Sequence, residues 1–195
     1  MKLTQIIAVV LAITITPNPV FCQQSGPAAA GVKPEPSPFI LSASIQDIMS
    51  SIIDPAADYL WDSVSVVGTA EGIVEHRPRT DADWEDVRRK AITLMEASNL
   101  LAMKGRRVVA AGRRLEDEGL EGNLTSAQIQ QLLDSDHASF VAFAHALNNA
   151  AAEALNAIEK RDVDAFLEAG GTLDAACEAC HLKFWYPGNG IPDSQ

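Results

Sequence analysis

Residues 162–186 read DVDAFLEAGGTLDAACEACHLKFWY. Phe166, Gly170, Leu173, Cys177, His181 and Phe184 recur there at steps of three, four and seven residues, which places them on one face of a helix. Asp162 stands just before the run. A carboxylate at that position can accept from the free N–H groups of a first turn. The pattern predicts a helix over about 163–186, capped by Asp162.

The same period recurs three times on the N-terminal side. Over about 126–160, Ile129, Leu133, Phe140, Phe143, Leu147, Ala150 and Ala154 line one face. Thr125 and Gln128 have capping-box spacing, and Asp136 falls on the apolar stripe as its wet end. Over about 81–104, Trp84, Val87, Ala91, Leu94, Ser98 and Leu101 keep a heptad-like spacing. Thr80 with Asp83 caps that run and Gly105 stops it. Over about 42–67, Ile45, Ile48, Met49, Ile52, Ala56, Leu60, Val64 and Val67 make a fourth apolar face. Proline lacks a backbone donor and crowds the preceding turn. Asp54-Pro55 therefore predicts a kink, or a restart with Asp54 as cap. No alternating β-branched run of useful length interrupts the series. Four helical runs with short connections predict an all-α chain folded as an antiparallel four-helix bundle.

Composition agrees with a folded domain. The chain has 195 residues, 47% of them hydrophobic, and a net charge of −11. One core can form at this size. The acid excess excludes a nucleic-acid partner, because a phosphate backbone needs a basic surface. The one local exception is Lys104, Arg106, Arg107, Arg113 and Arg114, in the irregular glycine-bearing stretch 105–124 and just before it. These cations are expected to complement a helix C-terminus and stay solvated. A place beside an anionic cofactor edge or a partner is the alternative.

The N-terminus reads as an address. Lys2 is followed by an apolar run over Ile6–Ile15, with Pro17 and Pro19 beyond it. Val20 and Cys22 are small enough for the −3 and −1 positions of a signal-peptidase site, which predicts a leader over 1–22. The run is too short to span a bilayer core of about 30 Å, so no transmembrane span is expected. A lipid on Cys22 is the other reading, and the bulky Phe21 before it weighs against that. Residues 23–38 are rich in Pro, Gly, Ala and Ser and predict a disordered linker, leaving 39–195 as the folded domain.

The chemistry of the chain is concentrated at Cys177-Glu178-Ala179-Cys180-His181, a C-x-x-C-H sequence. Positions i, i+3 and i+4 share a helix face. Two thiols so placed can add to the two vinyl groups of one porphyrin and hold the adjacent imidazole at its iron, as in c-type haem attachment. By chance, a chain of this composition and length would contain the motif about 0.001 times. Three other readings remain. A thioredoxin-type pair belongs at the start of a helix after a strand, whereas this one lies near the end of a helix. A structural zinc site wants two more ligands at paired spacing, but His137 and His145 are eight residues apart and no further cysteine is near. A Cys177–Cys180 disulfide would leave His181 without a role.

With its one C-x-x-C-H near the C-terminus of a helical domain, the chain resembles the class II c-type cytochromes, the cytochrome c-prime superfamily. The likeness covers about 42–187, and its specific part is Cys177-Glu-Ala-Cys-His-Leu-Lys-Phe-Trp. It implies a four-helix bundle carrying one covalent haem c, with its iron bound on one side by His181. Members often carry arginine four residues after the histidine. Trp185 stands there in this chain, with Lys183 as the nearby cation, so no role for that arginine carries over. Many members pair through apolar faces of their early helices, but nothing in this sequence forces a homodimer.

The family divides by the other side of the iron. Five-coordinate members place an apolar residue of the first helix there and bind small gases. Low-spin members place a methionine there and carry electrons. Met49 is the one methionine of the first helical run, so the resemblance to the low-spin branch points to Met49 as the distal iron ligand. Core packing is its alternative role. Met95 and Met103 are expected to pack, His76 to lie on the surface, and His137 or His145 to be the reserve ligands. Trp61 and Trp84 are expected to pack at one end of the bundle, and Gly170-Gly171 to allow close approach to haem or to a neighbour.

The leading expectation is thus a non-enzymatic periplasmic electron carrier whose partners are redox proteins of a respiratory or periplasmic chain. Its acidic surface would favour a basic docking patch. A five-coordinate protein binding nitric oxide or carbon monoxide is the first alternative. A helical binding module with a redox thiol pair is the second.

Overall fold

The computed structural model describes residues 38–70 and 72–188. The expected leader, Cys22 and all but the last residue of the expected linker lie outside them. The described chain is mostly helical, with one small two-stranded sheet.

The first helical stretch opens with α1 (Ile45–Ile48), passes through a π-helical segment (Met49–Ile53) and continues as α2 (Asp54–Ser63). Ser44 and Asp47 form a capping box at its start, the Ser44 N–H donating to Asp47 at 2.9 Å and the Asp47 N–H to Ser44 Oγ at 3.1 Å. Two more first-turn donors, the N–H groups of Ile45 and Gln46, reach the carbonyls of Arg107 and Val108 at 2.8 and 3.0 Å. The distant segment Arg107-Val108 thereby satisfies donors that a helix start leaves unpaired.

Asp54 is not a cap. It has helical backbone angles (φ −56°, ψ −50°), and its N–H donates to the Met49 carbonyl five residues back. A π-turn lets the chain absorb Pro55 without breaking. The expected kink or restart is therefore replaced by a widened turn.

The expectation of a strand-free chain fails past Ser63. β1 (Ser65–Thr69) and β2 (Gly72–His76) form an antiparallel hairpin, with Val67 opposite Val74 and Val66 opposite Glu75. Val64 and Val67 have helical spacing, yet β-branched residues favour extended backbone once no core holds them in a helix. Nearly every hairpin residue is exposed, Ile73 at 75%.

α3 (Asp81–Ala102) begins at the expected Thr80–Asp83 capping box. The chain then turns through Gly105, whose φ of +89° suits glycine. The expected third run is two helices, α4 (Ser126–Ser135) and α5 (His137–Lys160). Asp136 separates them at φ −133°, ψ 48°. Its carboxylate accepts from the Ser139 N–H at 3.3 Å and pairs with Lys183 at 2.9 Å. α6 (Val163–Phe184) follows its Asp162 cap as expected.

α3 packs on α5, α5 on α6, and α2 on both α3 and α6. Buried Ala150, Ala151, Ala154 and Ala157 give α5 a slim face for its neighbours. Trp84 and Phe166 meet with ring centroids 6.5 Å apart. Arg106 departs from expectation, being buried rather than solvated. Its guanidinium donates to the carbonyls of Leu100 at 2.9 Å and Ala43 at 2.6 Å, tying the end of α3 to the start of α1.

Candidate functional site

α6 brings Cys177, Cys180 and His181 to one side, as the i, i+3, i+4 spacing requires, and Met49 reaches the same place from the first residue of the π-segment. All four line a cleft of about 40 Å³ that α3 and α5 complete, chiefly with Leu101, Phe140, Phe143 and Leu147. Phe184 buttresses this wall from behind. Its ring makes edge-on contacts with Phe140 at 5.5 Å and Phe143 at 5.9 Å. The cleft is apolar apart from its sulfur atoms and one imidazole.

A second cavity of about 330 Å³, lined by polar and apolar groups alike, adjoins it and shares Met49, His181 and Trp185. Asp47, Ser50, Asp54, Arg113 and Tyr186 face this space. Of the basic cluster singled out in the sequence, Arg113 alone lines either cavity.

The electrostatics follow from burial. Cys177 and Cys180 are free thiols. Burial first, then Asp174 and Asp54, pushes the Cys177 thiol up to about 11, and burial with Cys177 beside it pushes Cys180 up to about 12. Thiol redox catalysis needs the opposite, a thiol lowered toward neutrality. Burial also lowers the His181 pKa, against the opposing pull of Asp54, Glu178 and Asp117. The imidazole is therefore neutral at pH 7, the form that binds a metal. Asp54, at the rim, has its carboxyl held above the ordinary range by desolvation, which His181 partly offsets.

Among the described residues no group of three or more His, Cys, Asp or Glu side chains is placed to hold a metal ion. A zinc site built from side chains alone is not provided here. What the cleft offers instead is one neutral nitrogen donor, one thioether and two protonated thiols against an apolar wall.

The remaining candidates lie elsewhere. His137 and His145 do not line the cleft, and His76 sits exposed at the end of β2. The His137 Nε2 is buried without a hydrogen-bond partner. Met95 packs partly buried, and Met103 receives Arg106 Nη2 at 3.5 Å. Gly170 admits a neighbour, which is the Trp61 indole. Two residues that the sequence did not single out stand beside His181. These are Tyr186, whose ring is 5.8 Å away, and Glu178, which accepts a bond from Tyr186. No periodic signal pairs them, because Tyr186 lies past the end of α6. No helix among the described residues is long and apolar enough to cross a membrane. Compared with protein-family models, curated proteins and solved structures, the chain has no significant match.

Proposed function

We propose that this chain is a periplasmic c-type cytochrome of the cytochrome c-prime kind, carrying electrons through one covalent haem c. In this reading α2, α3, α5 and α6 are the four members of an antiparallel bundle. The observation that carries it is the convergence of Cys177, Cys180, His181 and Met49 on one phenylalanine-walled cleft.

The donor chemistry fits the group. Each protonated thiol can add across a vinyl group, sulfur to one carbon and hydrogen to the other, with nothing released. Neutral His181 would hold the iron through a ring nitrogen, and Met49 would offer it a sulfur ligand. Apolar Leu101, Phe140, Phe143 and Leu147 exclude water from the ring faces. The cleft is narrow by itself and adjoins the larger cavity along the shared Met49, His181 and Trp185, so a bound ring would occupy both spaces. The bound group supplies a one-electron ferric–ferrous couple, and a thioether ligand raises its potential by favouring the ferrous state. The protein's part is to bind, orient and shield. A basic patch on another redox protein suits the acidic surface.

The test is the optical spectrum of full-length protein exported in a host with haem-attachment machinery. The expected result is a Soret band that survives acid extraction, with sharp α and β bands and little uptake of carbon monoxide. A covalent but high-spin haem that takes up carbon monoxide readily would replace electron transfer with gas binding. No Soret band would overturn the haem reading.

A further inference from the structure

His181 is fixed by rings. Neither nitrogen of its imidazole has a hydrogen-bond partner among the described residues, whereas metal-binding histidines are ordinarily oriented by such a bond. The imidazole instead lies 6.1 Å from the Trp185 ring and 5.8 Å from the Tyr186 ring. The His181 carbonyl accepts from the N–H groups of both residues, at 2.7 and 3.0 Å, which closes the last turn of the helix beside it. That last turn is pinned twice. The Trp185 carbonyl accepts from the Leu124 N–H at 2.9 Å, and the Tyr186 hydroxyl donates to the Glu178 carboxylate at 2.6 Å. Glu178 is itself the first residue between the two cysteines.

We propose that Glu178 and Tyr186 form a clasp that positions His181, the Tyr186 ring setting the plane of the imidazole and the Glu178 carboxylate anchoring that ring. The inference rests on the haem reading and assigns two positioning residues to the same site. The clasp has two separable effects. The ring contact fixes the orientation of the imidazole about the iron–nitrogen bond. The carboxylate holds a negative charge beside the imidazole, which strengthens the donor and favours ferric iron.

Three variants separate these effects in the exported holoprotein, read by electron paramagnetic resonance of the ferric state and by reduction potential. Glu178→Gln keeps an acceptor for the phenol and removes the charge. Its potential should rise while its g-values stay. Tyr186→Phe keeps the ring and removes the bond, so its g-values should shift. Glu178→Ala removes the anchor without touching the half-buried ring. It should show both changes, and it stands in if Tyr186→Phe matures poorly. Covalent haem with unmoved g-values in Glu178→Ala and Tyr186→Phe would overturn the clasp alone. An unaltered protein without a Soret band would overturn the haem reading and the clasp together.

Discussion

Trp61 Nε1 donates to the Gly170 carbonyl at 3.0 Å, and a Cβ added at Gly170 would lie 3.3 Å from the Trp61 ring. The indole fills the place of a side chain on α6 and joins it to α2. Nothing lies within 4 Å of a Cβ at neighbouring Gly171. Gly171→Ala should therefore stabilise the protein by about 0.5–1 kcal/mol through helix propensity. Gly170→Leu should cost about 1–3 kcal/mol through overpacking. Urea unfolding of the two variants checks the contrast, and equal effects would mean that the contact is slack.

Met49→Ala tests the distal assignment. Met49 is partly buried, so the stability loss should be about 1–2 kcal/mol, less than for a fully buried methionine. The ferrous spectrum should turn high-spin, carbon monoxide should bind, and the potential should fall. Met95→Ala and Met103→Ala should leave the spectrum unchanged. An unaltered low-spin spectrum in Met49→Ala would remove Met49 from the iron.

Arg106 is a buried cation committed to two carbonyls, on Leu100 and Ala43. Arg106→Met keeps much of the apolar stem but abandons both acceptors, and should cost about 2–3 kcal/mol. A loss below about 0.5 kcal/mol in urea titration would place the guanidinium in solvent.

The α3 cap predicts an acid limb. The N–H groups of Arg79 and Thr80, each 2.9 Å from the Asp83 carboxylate, hold its pKa below the ordinary 3.8. A carboxyl lowered in the folded state stabilises it above the unfolded value, and that share is lost as pH falls through the folded value. Asp83→Asn should thus be less stable than the unaltered protein at pH 7, with the gap closing below pH 3.8. Thr80→Ala should cost about 1 kcal/mol at pH 7. Thermal melts between pH 7 and about pH 2.5 follow both variants.

Much of this was legible because it is local. α3 and α6 announce themselves by Thr80, Asp83 and Asp162, whose capping bonds span three residues. The alignment of Cys177, Cys180 and His181 follows from helix spacing alone. The break at Asp136 was hidden because Leu133 and Phe140, seven residues apart, carry the heptad period straight across it. The hairpin was hidden for a different reason. Val66 and Ile73 lie on one face and Val67 and Val74 on the other, so burial imprints no alternation on the sequence. Tyr186 and Glu178 meet across the end of α6, where the Tyr186 N–H bonds five residues back and leaves the α-helical period.

The π-segment acts as a one-residue delay in the rotation of its helix. Before it the core residues are Ile45 and Ile48, and from its last residue onward they are Ile53, Ala56, Ala57 and Leu60, so the step across the segment is five where an α-helix would take three or four. An α-helix turns about 100° per residue. A one-residue deletion between Met49 and Asp54 would bring that step to four, and an unbroken α-helix would then keep Ile48 and Ile53 on one face. With every residue kept, an unwidened α-helix would instead turn Ile53 and all that follows it about 140° away from the Ile48 face, so the widened turn is what lets this helix carry its extra residue and still bury both halves.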